Sequence, residues 1–219
     1  MVIKNNLIAL IWGLTLFLYL GFLGWHENWR GPLSAAEIDF YMARVNAAEN
    51  VSPEQRQNLY DFMVSDTGEA FLMFNLVAYH DGDVADPLTG APTPPPLLIQ
   101  EYFLPFIGKV LRRGGYPAFM GNVVGGYIEA WATPPNPGWS DAAMIRYRSR
   151  RDLLALATDP TFADGHVYKQ AALASTYALP VEGQGGMFLS PRIWVAFLLA
   201  GLAALTHIIF LTLRIKNDR

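Results

Sequence analysis

Two uncharged, strongly apolar segments, one near each end of the chain, limit what this sequence can fold into. The segment from Asn5 to Trp25 contains no charged side chain, and the segment from Ile193 to Leu213 repeats the pattern. Each has about the 20 residues that a helix needs to cross the hydrocarbon core of a bilayer. The first segment lacks the small-residue cleavage site of a signal peptide. We therefore predict two transmembrane helices, over residues 7–25 and 192–213, with the lipid bilayer as a partner.

Basic residues at the two chain ends predict the orientation of these helices. The N-terminal residues 1–6 carry Lys4, and the tail over 214–219, RIKNDR, carries three basic side chains. Cytoplasmic flanks of membrane helices are enriched in Lys and Arg. We expect a protein of the bacterial inner membrane, with both termini in the cytoplasm and the main domain in the periplasm.

The region between the two segments, residues 27–190, is acidic. It holds 11 Lys and Arg against 18 Asp and Glu, which leaves a net charge of −7. A nucleic-acid partner needs a basic face, so this class of partner is not expected. The chain has no cysteine, which excludes disulfides, thiolate metal sites and thiol catalysis.

Two helical segments are predicted directly after the first span. Ser34 and Glu37 have the spacing of a capping box, with apolar residues at helical spacing behind them. Ser52 followed by Pro53 marks the start of a second helix. These segments form a helical extension over 34–66.

Residues 69–182 read as a second, larger unit that begins with a strand. The stretch EAFLMFNLVAYH, residues 69–80, is apolar on both alternating faces, as in a strand covered on both sides. The other predicted elements, in chain order, are a loop over 81–98, a helix over 99–115, a glycine-interrupted strand over 117–132, a strand over 142–148, two helical pieces separated by Asp159-Pro160, and a strand over 176–181.

This β-α-β-β-α-β order predicts an α+β, ferredoxin-like domain, in which a four-stranded antiparallel sheet carries two helices on one face. The glycines in the second strand predict a bulge or a split strand. Residues 183–191 are read as a tether to the second span.

Three stretches carry a resemblance to a known superfamily. FLMFNLVAYHDG, VLRRGG and AAMIRYRSRRDLLALATDPTFADGHVYKQAAL resemble the dimeric α/β-barrel superfamily, and in particular small bacterial members related to antibiotic-biosynthesis monooxygenase-like domains. The resemblance implies a ferredoxin-like fold and two sheets that pack face to face across a dimer. It implies fold far more than chemistry, because one fold hosts many functions.

Four polar residues are candidates for a binding or catalytic site. Asn75 is an amide inside an apolar strand, so it needs a hydrogen-bond partner, either a neighbouring strand or loop or a group in a pocket. His166 on the last helix is either a general base or haem ligand, or a histidine on a polar helix face. Arg146, with Arg148 on the same strand face, fits an anion site or salt bridges with nearby acids. His80, at the end of the first strand, is the fourth candidate.

Metal and cofactor sites have little support in the sequence. Asp81, Asp83 and Asp86 lack the glycine position and terminal glutamate of an EF-hand, so no metal site is predicted. No cofactor is predicted either, although a haem or pigment ligand role stays open for His166 and for His207 in the second span.

Small residues in the two spans predict where helices pack. Small side chains spaced along a helix let a second helix approach closely. The residues concerned are Ala196, Ala200, Gly201 and Ala204 in the second span, and Gly13 and Gly21 in the first. The partner helix is either the other span or another subunit.

Two functions follow from these observations. The first is an accessory or scaffolding subunit of a larger membrane complex, of respiratory or photosynthetic type, since no catalytic set converges. The second is a membrane-tethered small-molecule-binding protein or an enzyme of monooxygenase or isomerase type that uses a pocket on the sheet face. The sequence favours the first, and other membrane-protein subunits or a second copy are the expected protein partners.

Overall fold

The computed structural model describes residues 2–48, 51–183 and 190–217. These residues divide into two compact units. The first contains described residues of Met1–Glu27 and Gln184–Arg219, and the second is Asn28–Gly183. In chain order the described elements are α1 (Val2–His26), α2 (Ala35–Ala47), α3 (Pro53–Val64), β1 (Phe71–Tyr79), β2 (Val84–Ala85), β3 (Pro92–Thr93), α4 (Pro95–Arg112), β4 (Tyr116–Asn122), β5 (Asp141–Tyr147), α5 (Arg150–Ala157), α6 (Pro160–Ala172), β6 (Leu173–Val181) and α7 (Pro191–Asn217).

The first unit is a pair of helices, α1 and α7, which pack against each other. Asn6–His26 and Pro191–Leu213 are each long and apolar enough to cross a membrane. Apart from the face between the two helices, most of their side chains are exposed, and Ala203 is the deepest of the α7 contacts at 4% exposure. The exposed apolar surface is what a helix needs in lipid and what a helix in water avoids.

A small polar cluster joins the C-terminal end of α1 to the N-terminal end of α7. The carboxylate oxygen Oε1 of Glu27 lies 2.7 Å from Nε of Arg192 and 2.7 Å from Nδ1 of His26. Tyr19 adds a hydrogen bond from its hydroxyl to the carbonyl of Arg192, at 3.2 Å. One carboxylate therefore contacts both helices.

The second unit is α+β, and its centre is a four-stranded antiparallel sheet of order β4-β5-β1-β6. The first and third strands of the sheet in chain order are thus the two inner ones. In this register Asn75 of β1 lies opposite Ala143 of β5 and Ala178 of β6. The edge strands β4 and β6 each contain a proline, Pro117 and Pro180.

Helices α4, α5 and α6 cover one face of this sheet. β1 and β5 place alternate side chains on that face, because successive strand residues point to opposite sides. The buried core there consists of Phe71, Phe106, Val110, Ile145, Tyr147 and Leu156.

The helical extension lies where its capping signals predicted it. Ser34 and Glu37 form a reciprocal capping box at the start of α2, and Ser52 and Gln55 form another at the start of α3. These caps satisfy backbone amides that the first helical turn leaves unpaired. The extension has its own core, made of Leu33, Tyr41, Val45, Met63 and Leu154.

Two arginines of α5 attach this extension to the sheet domain. Arg150 donates to the carbonyl of Phe62 and, at 2.8 Å, to the hydroxyl of Ser65. Arg151 donates to both carboxylate oxygens of Glu37. Both arginines are largely buried, so these bonds are shielded from water.

The predicted strand over 117–132 was too long. The observed strand is Tyr116–Asn122, and residues 123–140 contain neither helix nor strand. Three glycines and three prolines in that range weaken strand pairing, which explains the early end. A bulge is present, but it falls between Pro117 and Phe119 rather than at the glycines.

The start of α4, the end of α6 and the start of β6 also differ from expectation. The predicted loop over 81–98 contains the β2–β3 hairpin, and α4 starts inside it at Pro95, which suits the first helical turn. The last strand starts at Leu173 rather than 176, because α6 ends earlier than its composition suggested. The break at Asp159-Pro160 is confirmed, since α5 ends just before it.

Candidate functional site

A cavity of about 460 Å³ lies inside the α+β unit, between the sheet and helices α4, α5 and α6. Its volume falls in the range of small-molecule sites in proteins. The wall is mostly apolar with a few polar groups. On the sheet side it is formed by Met73, Asn75, Val77, Tyr79, Met120, Asp141, Ala143, Ile145, Tyr147 and Ala178. On the helix side it is formed by Pro96, Ile99, Gln100, Tyr102, Phe103, Phe106, Leu153, Leu156, Ala157, His166 and Lys169.

Asn75 brings an amide to the middle of the sheet wall. Its Nδ2 donates to the carbonyl of Met73 at 2.9 Å, and its side chain lines the cavity. The hydrogen bond therefore runs to the residue's own strand rather than to a neighbouring strand or loop, and the side chain also lines a pocket. The amide oxygen accepts no hydrogen bond from the described residues, so it is available to a ligand.

Tyr79 and Asp141 form a polar pair on the same wall. The Tyr79 hydroxyl donates to Oδ2 of Asp141 at 2.6 Å, and Nδ2 of Asn122 donates to Oδ1 at 2.8 Å. Burial, and then the neighbouring carboxylate, raise the pKa of the Tyr79 phenol well above its usual range. The phenol thus remains protonated, and both oxygens of the acid already accept a hydrogen bond.

The helix side supplies three groups that lie close together. The rings of Tyr102 and His166 meet edge to face with centroids 5.5 Å apart. Nζ of Lys169 lies 5.6 Å from the centroid of the Tyr102 ring, within the range of a cation–π contact. Burial lowers the pKa of the Lys169 ammonium and raises that of the Tyr102 phenol.

Two of the predicted site residues lie away from the cavity. His80 is exposed just after β1. Arg146 is buried on the opposite face of the sheet, where Nη1 donates to the carbonyl of Gly114 at 2.9 Å and the guanidinium lies over the Tyr116 ring. These positions separate both residues from Asn75 and His166, which the cavity brings together.

The expected salt bridges of the third strand are present in part. Arg148 pairs with Asp152 at 2.8 Å in an i,i+4 arrangement at the start of α5. Arg146 instead bonds the backbone carbonyl described above.

The acidic loop after β1 shows no arrangement for a metal. The carboxylate oxygen Oδ1 of Asp86 accepts hydrogen bonds from the backbone amides of Leu88 and Thr89, both at 2.8 Å, and so shapes a turn. Across the residues that the structure describes, no three His, Asp or Glu side chains gather as metal ligands.

The small residues of the two spans divide into two groups. Ala196, Ala200 and Ala204 of α7 are half-buried, as is His207, while Gly201 is exposed. Gly13 and Gly21 of α1 are exposed, and a Cβ atom built on either meets no described atom within 4 Å. Those two glycines are therefore not notches for α7, and a packing role for them refers to another subunit.

Lys169, Tyr102 and Asp141 were not among the predicted site residues. Lys169 follows His166 by three residues, so helical spacing alone places both on one face. Asp141 begins a strand after a long loop, and nothing in its neighbourhood identifies Tyr79, 62 residues earlier, as its partner. Only the strand register brings these two together.

Comparison with known structures shows the fold. The crystal structure of RPA0582, a protein of unknown function from Rhodopseudomonas palustris, has 18% sequence identity and a TM-score of 0.50, and the match covers 64% of this chain and 100% of that one. The crystal structure of the methylated RPA0582 protein has 17% sequence identity and a TM-score of 0.50, and the match covers 64% of this chain and 98% of that one. No family model matches the chain, and no curated protein matches it in sequence.

Proposed function

We propose that this protein is a membrane-anchored binding protein that holds a small, mostly apolar molecule between its sheet and its helices. The observation that supports this function is the cavity, whose apolar walls carry a few polar groups from separate elements. Sites of this composition bind ligands by excluding water and select them by a few hydrogen bonds.

The proposal includes a ferredoxin-like fold of the dimeric α/β-barrel type. The order β4-β5-β1-β6, with helices on one face, is what a split βαβ arrangement gives. In that arrangement the helix-covered face is where the cavity lies, and the second sheet face is left for a partner.

The proposal also places both long apolar helices across the bacterial inner membrane, with the α+β unit in the periplasm. Their length and composition support spanning, and the basic chain ends support the orientation. A C-terminal reporter that is active only in the periplasm should stay silent, and its activity there would reverse the assigned orientation.

The binding function is tested with the full chain in nanodiscs of zwitterionic lipid, titrated with 1-naphthylacetamide and followed by calorimetry against empty nanodiscs. Ala143→Phe fills the sheet wall of the cavity and should abolish the heat of binding. Ala142→Phe is the matched control, because the neighbouring residue on the same strand points to the other sheet face. Equal loss in both variants would contradict the proposal, and so would absence of saturable binding of both this probe and 1-naphthylacetate in the wild-type chain.

A second candidate function is that of an accessory subunit in a larger membrane complex. It is favoured by the outer sheet face, defined as Phe74, Phe119, Met144, Tyr177, Leu179 and Val181, which the strand registers place together. Four of these six side chains are about half exposed. A contiguous apolar face of this kind is typical of a protein interface, with another subunit or with a second copy.

Native mass spectrometry after mild-detergent purification distinguishes these partners. Leu179→Asp should remove a partner that covers the outer sheet face, whereas Leu88→Asp, in the exposed β2–β3 hairpin, should not. A monomer in the wild-type preparation would contradict the subunit function.

An absorbance spectrum of the same preparation tests for haem or pigment at His166 or His207.

A further inference from the structure

We propose that the cavity binds an amphipathic monocarboxylate, whose acid group pairs with Lys169 and whose apolar body lies against the sheet wall. This inference rests on the proposed binding function and names the chemical class of its ligand. It follows from the charged side chains in the cavity wall, which are few and which differ in the number of hydrogen-bond partners that the protein gives them.

The two charged residues that the structure describes in the cavity wall differ in how they are satisfied. Asp141 accepts one hydrogen bond on each oxygen, from Tyr79 and from Asn122. Lys169 forms no ion pair and no hydrogen bond with any described residue, and its ammonium group lies over the face of the Tyr102 ring, 5.6 Å from the centroid. The carboxylate of Asp141 thus has hydrogen-bond donors within the protein, whereas the ammonium group of Lys169 has no hydrogen-bond acceptor among the described residues.

An ammonium group in apolar surroundings is costly unless an opposite charge accompanies it. The lowered pKa of Lys169, caused by burial, is the expected sign of this cost. A ligand carboxylate would supply the missing opposite charge in a partly enclosed, mostly apolar site, where an ion pair is stronger than at the open surface. A cationic ligand would be repelled by Lys169, and it would have to share the two oxygens of Asp141 with the hydrogen bonds from Tyr79 and Asn122.

The wall also limits the anion to a small head group with a single charge. Lysine provides one compact charge, and the described residues of the cavity wall include no arginine, whose fork would bind a phosphate through paired bonds. The rest of the wall is mainly aromatic and aliphatic, including Phe103, Phe106 and Ile145. A flat or short-chain apolar body with one carboxylate matches that distribution. Asn75 offers an amide for a second polar atom of the ligand.

The test compares two probes that share one ring and differ in charge, 1-naphthylacetate and 1-naphthylacetamide. The full chain in nanodiscs of zwitterionic lipid is titrated with each, and empty nanodiscs correct for partitioning. The wild-type protein should bind the carboxylate at least tenfold more tightly than the amide. Lys169→Met should remove this preference, with the amide affinity unchanged or higher.

Lys109→Met is the matched control. Lys109 lies on α4 and pairs with Asp159 at 3.6 Å, and it is not part of the cavity wall. This variant should keep the preference for the carboxylate. The wild-type comparison stands by itself, so the inference stays testable if Lys169→Met fails to fold.

The outcomes separate the inference from the function on which it rests. Equal binding of both probes by the wild-type chain would overturn the inference that the ligand is a carboxylate, and it would leave the binding function standing. A preference that persists in Lys169→Met would also overturn it. Binding of neither probe would reject the binding function and the inference together.

Discussion

Nε of Arg151 lies 2.7 Å from Oε1 of Glu37, although the two residues are 114 positions apart in the chain. A second bond joins Nη2 to Oε2 at 3.1 Å, so the contact is bidentate. The same guanidinium donates to the carbonyl of Pro32 at 2.9 Å. This group therefore ties the start of the helical extension to α5.

Arg151→Met is expected to lower the free energy of unfolding by about 3 kcal/mol, because it leaves a partly buried carboxylate without its main partner. The Arg151 side chain is 9% exposed. Arg30 is the matched control, since it bonds the same carboxylate at 3.0 Å with a side chain 70% exposed. Arg30→Met should cost less than about 1 kcal/mol. Thermal unfolding of the full chain in detergent measures both, and equal losses would contradict this account.

The stability of the fold should fall in acid through Glu37. The hydrogen bond from Arg151, followed by the backbone amide of Ser34, lowers the pKa of this carboxyl from 4.5 to about 2. The folded state thus binds the proton more weakly than the unfolded state. The contribution is complete above pH 4.5 and is lost as the pH falls from there to about 2.

Because the Glu37 side chain is 25% exposed, we expect this contribution to be on the order of 2 kcal/mol. This contribution is measured from unfolding curves recorded at pH 6 and at lower values over about four pH units. Glu37→Gln should be less stable at neutral pH and should show a flatter decline in acid. A parallel decline in both proteins would show that other groups carry the acid sensitivity.

Gly68 should tolerate no side chain, whereas Gly82 should tolerate one at moderate cost. Both have positive φ, +80° and +71°, which costs other residues about 1 kcal/mol. A Cβ on Gly68 would also lie 2.7 Å from the carbonyl carbon of Gly31, while one on Gly82 meets no described atom within 4 Å. Gly68→Ala should therefore lower the free energy of unfolding by roughly 3 kcal/mol or more. Denaturant titration of both variants measures the difference, and similar midpoints would contradict the close approach.

Ala203→Leu should weaken the packing of α1 on α7. Ala203 is 4% exposed, and added methyl groups at a packed position cost about 1–3 kcal/mol. Gly201→Leu is the control, because Gly201 is exposed on the same helix and a Cβ there meets no described atom within 4 Å. Melting in detergent, followed by circular dichroism, should show a lower midpoint for the first variant alone. A larger shift for Gly201→Leu would indicate that another helix packs on that side.

The features that the sequence predicted well are those set by short-range rules. The capping boxes at Ser34 and Ser52 depend on side chains three residues apart, and the break at Asp159-Pro160 depends on proline chemistry. The strand containing Asn75 was recognisable because its apolar run was long.

The cavity could not be predicted in the same way. Its polar groups come from strands and helices that are distant in sequence, so their meeting depends on the register of β1 against β5 and on how α6 lies over the sheet. Arg146 shows the converse error. It shares strand β5 with Asp141 and Ala143, and it lies on the opposite face because an odd number of positions separates it from each of them and side chains alternate along a strand.

The prolines at the two edges of the sheet decide how the sheet can be extended. A proline in a paired strand is tolerated only where its missing N–H would have pointed away from the neighbour, so Pro117 in β4 and Pro180 in β6 remove donors that an incoming strand would need. Each edge is therefore a weaker template for an added strand than an edge without proline. The broad outer surface keeps no such obstacle, so stacking of a second layer is favoured there over widening of the sheet.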